Sequence, residues 1–142
     1  MELAVRFLVH TLIPYDGRLD VEEYIDEGIV RLAGASNGAA DEQLTNRTFD
    51  LLNTAAGGNA LRRFANGAYV GKIGLVGLEG IAVGVAKNLQ AILTLQDPPA
   101  FVVNKSRTFW AQPEAETFTS PGLRGTTRIQ RTVPFGEVWF RP

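Results

Sequence analysis

The chain has 142 residues, of which 45% are apolar and 20% charged, with 14 Lys and Arg against 15 Asp and Glu. That is enough for one domain with its own core and too little for two ordinary ones. With no cysteine and a single histidine, the composition excludes a disulfide framework and argues against a zinc site of the usual ligands.

The opening Met1-Glu2-Leu3-Ala4-Val5-Arg6 carries an acid where a secretory signal carries bases, and no small-residue cleavage site follows. A reducing, cytoplasmic location is therefore expected, and Asn46-Arg-Thr48 and Asn104-Lys-Ser106 are read as chance matches to glycosylation sequons. Leu3, Phe7, Leu8, Thr11 and Leu12 recur at helical spacing until Pro14, and Asp16-Gly17 marks a turn. Asp20, with Glu23 three residues on, forms a variant capping box for a second helix. Val21, Tyr24, Ile25, Ile29 and Leu32 form one stripe on it; Glu22, Glu23, Asp26 and Glu27 face water. After the loop 34–38, Asp41 is expected to cap a third helix carrying Leu44, Thr48, Leu51, Leu52 and Ala55, closed by Gly57-Gly58.

Asn59 is expected to cap a short fourth helix with Leu61, Arg62, Arg63 and Phe64, ended by Asn66-Gly67. Then glycine returns every third or fourth residue through an apolar run, Gly71-Lys-Ile-Gly74-Leu-Val-Gly77-Leu-Glu-Gly80-Ile-Ala-Val-Gly84. Glycine is a poor helix former, so the pattern demands a close-packed neighbour. A strand over 73–86 fits the short apolar run, but length and flanking breakers favour a helix from about Val70 to Leu95. On it Gly77, Gly80 and Gly84 lie near one another as a close-packing flank. Asp97-Pro98-Pro99 breaks that helix, 104–111 makes a short one anchored by Phe109 and Trp110, and 114–118 adds a turn. From Ser120 onward no helical period is evident, so an extended tail is expected, with Ile129, Val133, Phe135, Val138, Trp139 and Phe140 as docking side chains. The expected fold is all-α: a compact bundle of about five to six helices around the Gly-rich helix, spanning 1–118. The tail, 119–142, docks on that domain or on a partner.

Motifs of chemistry are few. Gly67-Ala-Tyr-Val-Gly71-Lys72-Ile73 is one residue short of a phosphate-binding loop and lacks its hydroxyl; the later glycines do not fit a dinucleotide fingerprint. No cofactor is implied. The 14 residues between Lys72 and Lys87, interrupted by Glu79, fall short of the roughly 20 a membrane span needs, so no membrane partner is implied. His10, among apolar residues, reads as a satisfied structural histidine. Glu79 is costly in an apolar helix unless paired, with Arg62 or Arg63 as candidate partners. The alternative is a lone functional carboxylate. Residues 1–57 hold ten acids against four arginines, whereas 104–142 hold six bases against three acids. Either the ends pair or face water, or the basic end touches phosphate, with Lys105, Arg124, Arg128 and Arg131 as candidate contacts.

The order of segments Leu3–Phe7, Ile29–Leu32, Thr48–Asn53, Leu61–Phe64, Glu79–Gly84, Phe109-Trp110, Thr127–Ile129 and Phe135-Gly136 resembles the helical region downstream of the ParB-like domain in GmrSD-type bacterial restriction and phage-defence proteins. The resemblance implies a non-catalytic helical portion of a larger protein that packs on a ParB-like domain, self-associates or contacts DNA. The family's Asp-Gly-Gln-Gln-Arg motif is missing, since Asp16-Gly17-Arg18 lacks the glutamines, and one histidine cannot build the nuclease site. No catalytic residue carries over. The competing readings are a free-standing interaction domain using Phe135, Trp139 and Phe140, and a small enzyme built around Glu79.

Overall fold

Helix α1 (Glu2–Leu12) and helix α2 (Val21–Gly34) pack on each other around Val9, Tyr24 and Ile25. Asp20 caps α2 as its sequence requires, accepting the Glu23 N–H at 2.9 Å. The contact is close because Gly28 has no side chain; a Cβ there would lie 2.5 Å from a Val9 methyl. Helix α3 spans Gly38–Ala56, so Asp41 lies in its first turn rather than at its cap, and its N–H bonds to the Asn37 carbonyl. A computed structural model describes residues 2–142.

Where a fourth helix was expected stands a β-hairpin, β1 (Arg63–Ala65) and β2 (Ala68–Val70), with Phe64 opposite Tyr69. Asn66 and Gly67 both have positive φ, 53° and 78°, which is the two-residue turn that an Asn-Gly pair favours. The Asn-Gly signal thus makes a hairpin rather than ending a helix. Gly71 also has positive φ, at 72°, and the chain remains irregular through Gly74. The Gly-rich rod consequently begins at residue 75, later than expected, and is interrupted at Asn88. Its middle, Gly77–Ala82, is π-helical, continuing into α4 (Val83–Lys87) and then α5 (Leu89–Leu93).

Every residue from Val76 to Ala86 is buried. Around this rod lie α1, α3, α6 (Pro98–Phe109) and α8 (Gly125–Trp139), with α7 (Pro113–Phe118) against α8. The core joins Phe7, Leu52, Leu78, Ile81, Val85, Ile92, Val102, Phe109 and Phe140. The two prolines after Asp97 start α6 instead of merely ending the previous helix. Proline suits the first helical turn, and the Asp97 carboxylate caps it by accepting the Ala100 N–H at 3.1 Å.

The largest correction concerns the tail. Residues 119–142 are not extended: α8 covers most of them and forms part of the core. Ile129, Thr132, Gly136 and Phe140 supply its buried face, and Phe140 has no exposed surface. Pro134 sits on its outer side and removes one backbone hydrogen bond, a cost of about 3 kcal/mol in an isolated helix. Packing against the rod offsets it. Gly125, Pro134 and Gly136 hide the helical period from a propensity reading.

Candidate functional site

The three close-packing glycines of the rod meet different neighbours rather than one helix. A Cβ on Gly77 would collide with the Leu61 carbonyl oxygen, and one on Gly80 would lie 2.5 Å from the Phe109 ring. One on Gly84 would lie 2.6 Å from the Gly136 carbonyl oxygen, while a Cβ on Gly136 would strike that of Gly80. Gly136 is therefore the missing half of the motif, and the Gly80–Gly84–Gly136 crossing brings α8 against the π-helical turn.

That approach decides the fate of Glu79. Its carboxylate has no exposed surface and is met by Arg128. Arg128 Nε donates at 3.0 and 3.2 Å to Oε1 and Oε2, and Nη2 donates to Oε2 at 2.9 Å. Thr132 Oγ1 lies 2.9 Å from Oε1 and 3.0 Å from the Arg128 carbonyl, so its single proton serves either acceptor. Arg128 and Thr132 are one helical turn apart on α8, which aims both at the same point. The expected partners lie elsewhere: Arg62 donates to the Gly71 carbonyl at 2.7 Å and to Asn59 Oδ1 at 2.6 Å, and Arg63 is exposed on the hairpin. Arg128 becomes the partner only because 125–139 is helical and 63–65 is a strand.

The four candidate phosphate contacts do not converge. Lys105 lies over the Trp139 ring at 4.3 Å from its centroid, and its carbonyl accepts the Trp139 indole N–H at 2.8 Å. Arg124, at the N-cap of α8, and Arg131, on the helix, are exposed, whereas Arg128 turns inward to Glu79. A different set meets instead. Arg63, Lys72 and Arg128 line one open cleft of about 400 Å³, as do Thr119 and Ser120. Leu61, Leu75, Val76, Phe118 and Leu123 supply apolar surface, and no acid is among the residues lining it. Gly74 to Gly77, where the rod begins, also border the cleft. The first N–H groups of a helix lack internal acceptors and attract anions. Trp110 lines the cleft too, and its indole N–H is buried with no acceptor among the described residues. On the hairpin, Arg107 of α6 stacks at 4.9 and 5.4 Å from the Phe64 and Tyr69 ring centroids and donates to the Tyr69 hydroxyl at 3.0 Å.

Trp110, Thr119, Ser120 and Thr132 carry no site motif in the sequence. Lys72 carried one signal, as the base of the near-miss Gly67–Lys72 loop. No group of three or more His, Asp or Glu that could hold a metal occurs among the described residues.

His10 is buried, at 3% exposure, but it is not satisfied: neither ring nitrogen has a partner among the described residues. Burial, helped by the Arg6 and Arg128 charges, pushes its pKa down to about 4, so the ring is neutral near pH 7. Tyr24, 5.6 Å from it between ring centroids, donates to the Ile13 carbonyl at 2.5 Å, and burial raises its pKa to about 12. No helix among the described residues is long and apolar enough to cross a membrane. No family model matches the sequence, and neither a curated protein nor a solved structure matches it.

Proposed function

We propose that this chain is a non-catalytic helical module that holds nucleic-acid phosphate in the cleft bordered by Arg63, Lys72 and Arg128. The observation that carries this reading is the meeting of Arg63 and Lys72 with the Glu79-paired Arg128, from three separate segments, in a cleft with no acid along its lining. Phosphate contacts are what such a constellation recognises at lowest cost. Binding rather than catalysis is supported by Glu79, whose two oxygens are occupied by Arg128 and Thr132 and are not free to take a proton from a substrate. The GmrSD-type resemblance supplies a setting: a helical portion whose phosphate contact assists a neighbouring ParB-like domain in a larger defence protein.

Fluorescence anisotropy of labelled single-stranded and duplex DNA across a salt series tests the reading. One phosphate neutralised in the cleft predicts a slope of log K against log salt of about −1. Changing Arg63 and Lys72 together to alanine should abolish binding with an unchanged melting temperature. No association with either DNA at low salt would refute the proposal.

A protein-docking role rests on a different surface from the aromatic tail expected from sequence. Phe140 is fully buried, Phe135 and Trp139 are half-buried, and all three belong to the chain's own core. On α2, in contrast, the adjacent Ile29 and Val30 are 41% and 71% exposed, beside Asp26 and Glu27. If α2 docks a partner or a second copy, Val30→Glu should lower the associated mass in solution without altering DNA binding.

A further inference from the structure

Resting on the phosphate reading of the cleft, we infer that it takes a terminal phosphate monoester of a single strand, the doubly charged group at a chain end, rather than internal phosphodiesters along a duplex. The cations do not track a backbone. Arg63 and Lys72 enter from the hairpin strand and the loop after it, Arg128 from α8, and all three border one space of about 400 Å³. That volume is the size of a small-ligand pocket. It admits one phosphate with its nucleoside, whereas a duplex would meet the cleft only at its rim.

Arg128 is built for a fixed role. Glu79 holds Nε and Nη2 in a side-on pair, and Nη1 has no acceptor among the described residues. Glu79 and Thr132 therefore act as positioning residues for the guanidinium. Its planar fork is fixed before a ligand arrives, which lowers the ordering cost of binding. Because Glu79 balances the Arg128 charge, Arg63 and Lys72 supply the net attraction, matching a group of about two negative charges near neutral pH. Beyond the phosphate, Leu75, Leu123 and Trp110 offer apolar surface to a flat base. An unstacked base at a strand end can use such a wall, whereas a paired one cannot.

Competition anisotropy with one single-stranded oligonucleotide carrying a 5′-phosphate, a 3′-phosphate or hydroxyls at both ends tests the inference. One phosphorylated form should bind at least tenfold more tightly than the hydroxyl form. Adenosine monophosphate should compete, inorganic phosphate should compete more weakly, and adenosine should not compete. Changing Lys72 and Arg63 to alanine should erase the preference while the melting temperature holds, which separates lost binding from lost fold. Equal, salt-sensitive affinity for all three forms would overturn the end-specific inference and leave the phosphate-contact reading standing. No binding of any form at low salt would overturn both.

Discussion

Two buried polar side chains, Glu79 and His10, solve the same problem in opposite ways. Glu79 has no exposed surface and keeps its carboxylate among hydrogen-bond donors that arrive from residues 49 and 53 positions later. His10, at 3% exposure, has no partner for either nitrogen among the described residues and avoids the cost of a buried charge by staying neutral. The first ties α8 to the rod and aims Arg128 at the cleft. The second binds nothing together and makes the α1 region sensitive to acid. A buried charge with a dedicated partner organises structure; a buried base without one is tolerated.

Removing Arg128 should break the comparison most severely. Arg128→Met leaves Glu79 buried without its counter-charge, and a loss of about 3–5 kcal/mol in urea unfolding is expected. Combining it with Glu79→Leu should recover much of that loss, because an apolar pair of similar volume is often neutral in such a site. His10 sharpens the contrast through pH. Its folded pKa of about 4 lies below its unfolded value near 6.5, so protonation favours the unfolded chain. Its contribution is fully present above pH 6.5 and declines as pH falls toward 4, by about 3 kcal/mol in total. His10→Leu should flatten the stability profile between pH 6.5 and 5, above the range in which carboxylates dominate. An unchanged slope there would show that other groups carry it.

Gly136→Ala asks whether the Glu79 pair depends on the closeness of α8. Alanine has the better helix propensity by up to about 1 kcal/mol, yet its Cβ would strike the Gly80 carbonyl oxygen. The collision should win, with a net loss of about 1–3 kcal/mol measured by thermal melting. The smallest stability effect belongs to Lys72→Ala, which should stay within about 0.5 kcal/mol of the parent while weakening phosphate binding.

The all-α character, the Asp20 cap and the need for close packing at Gly77, Gly80 and Gly84 were legible from local patterns, because periodicity and glycine spacing are local signals. The hairpin has a signal in Asn66-Gly67, but the same pair also suits a helix stop, and local sequence does not separate the two. α8 was not legible. Pro134 and two glycines lower its intrinsic helicity, and what holds it is contact with a rod some fifty residues earlier. The candidate site inherits that gap. A buried Glu79 announces that it needs a partner, but Arg128 and Thr132 qualify only once 125–139 is helical, when four residues' separation places them on one face. Arg63 and Lys72 join Arg128 through tertiary packing alone.

A double-mutant cycle in urea on Glu79→Gln and Arg128→Met addresses the pairing on which both the fold of α8 and the shape of the cleft depend. A coupling energy of about 2 kcal/mol or more is expected for groups sharing one buried network. Effects that add to within about 0.5 kcal/mol would mean that the two side chains act independently and that Glu79 does not hold Arg128 at the cleft.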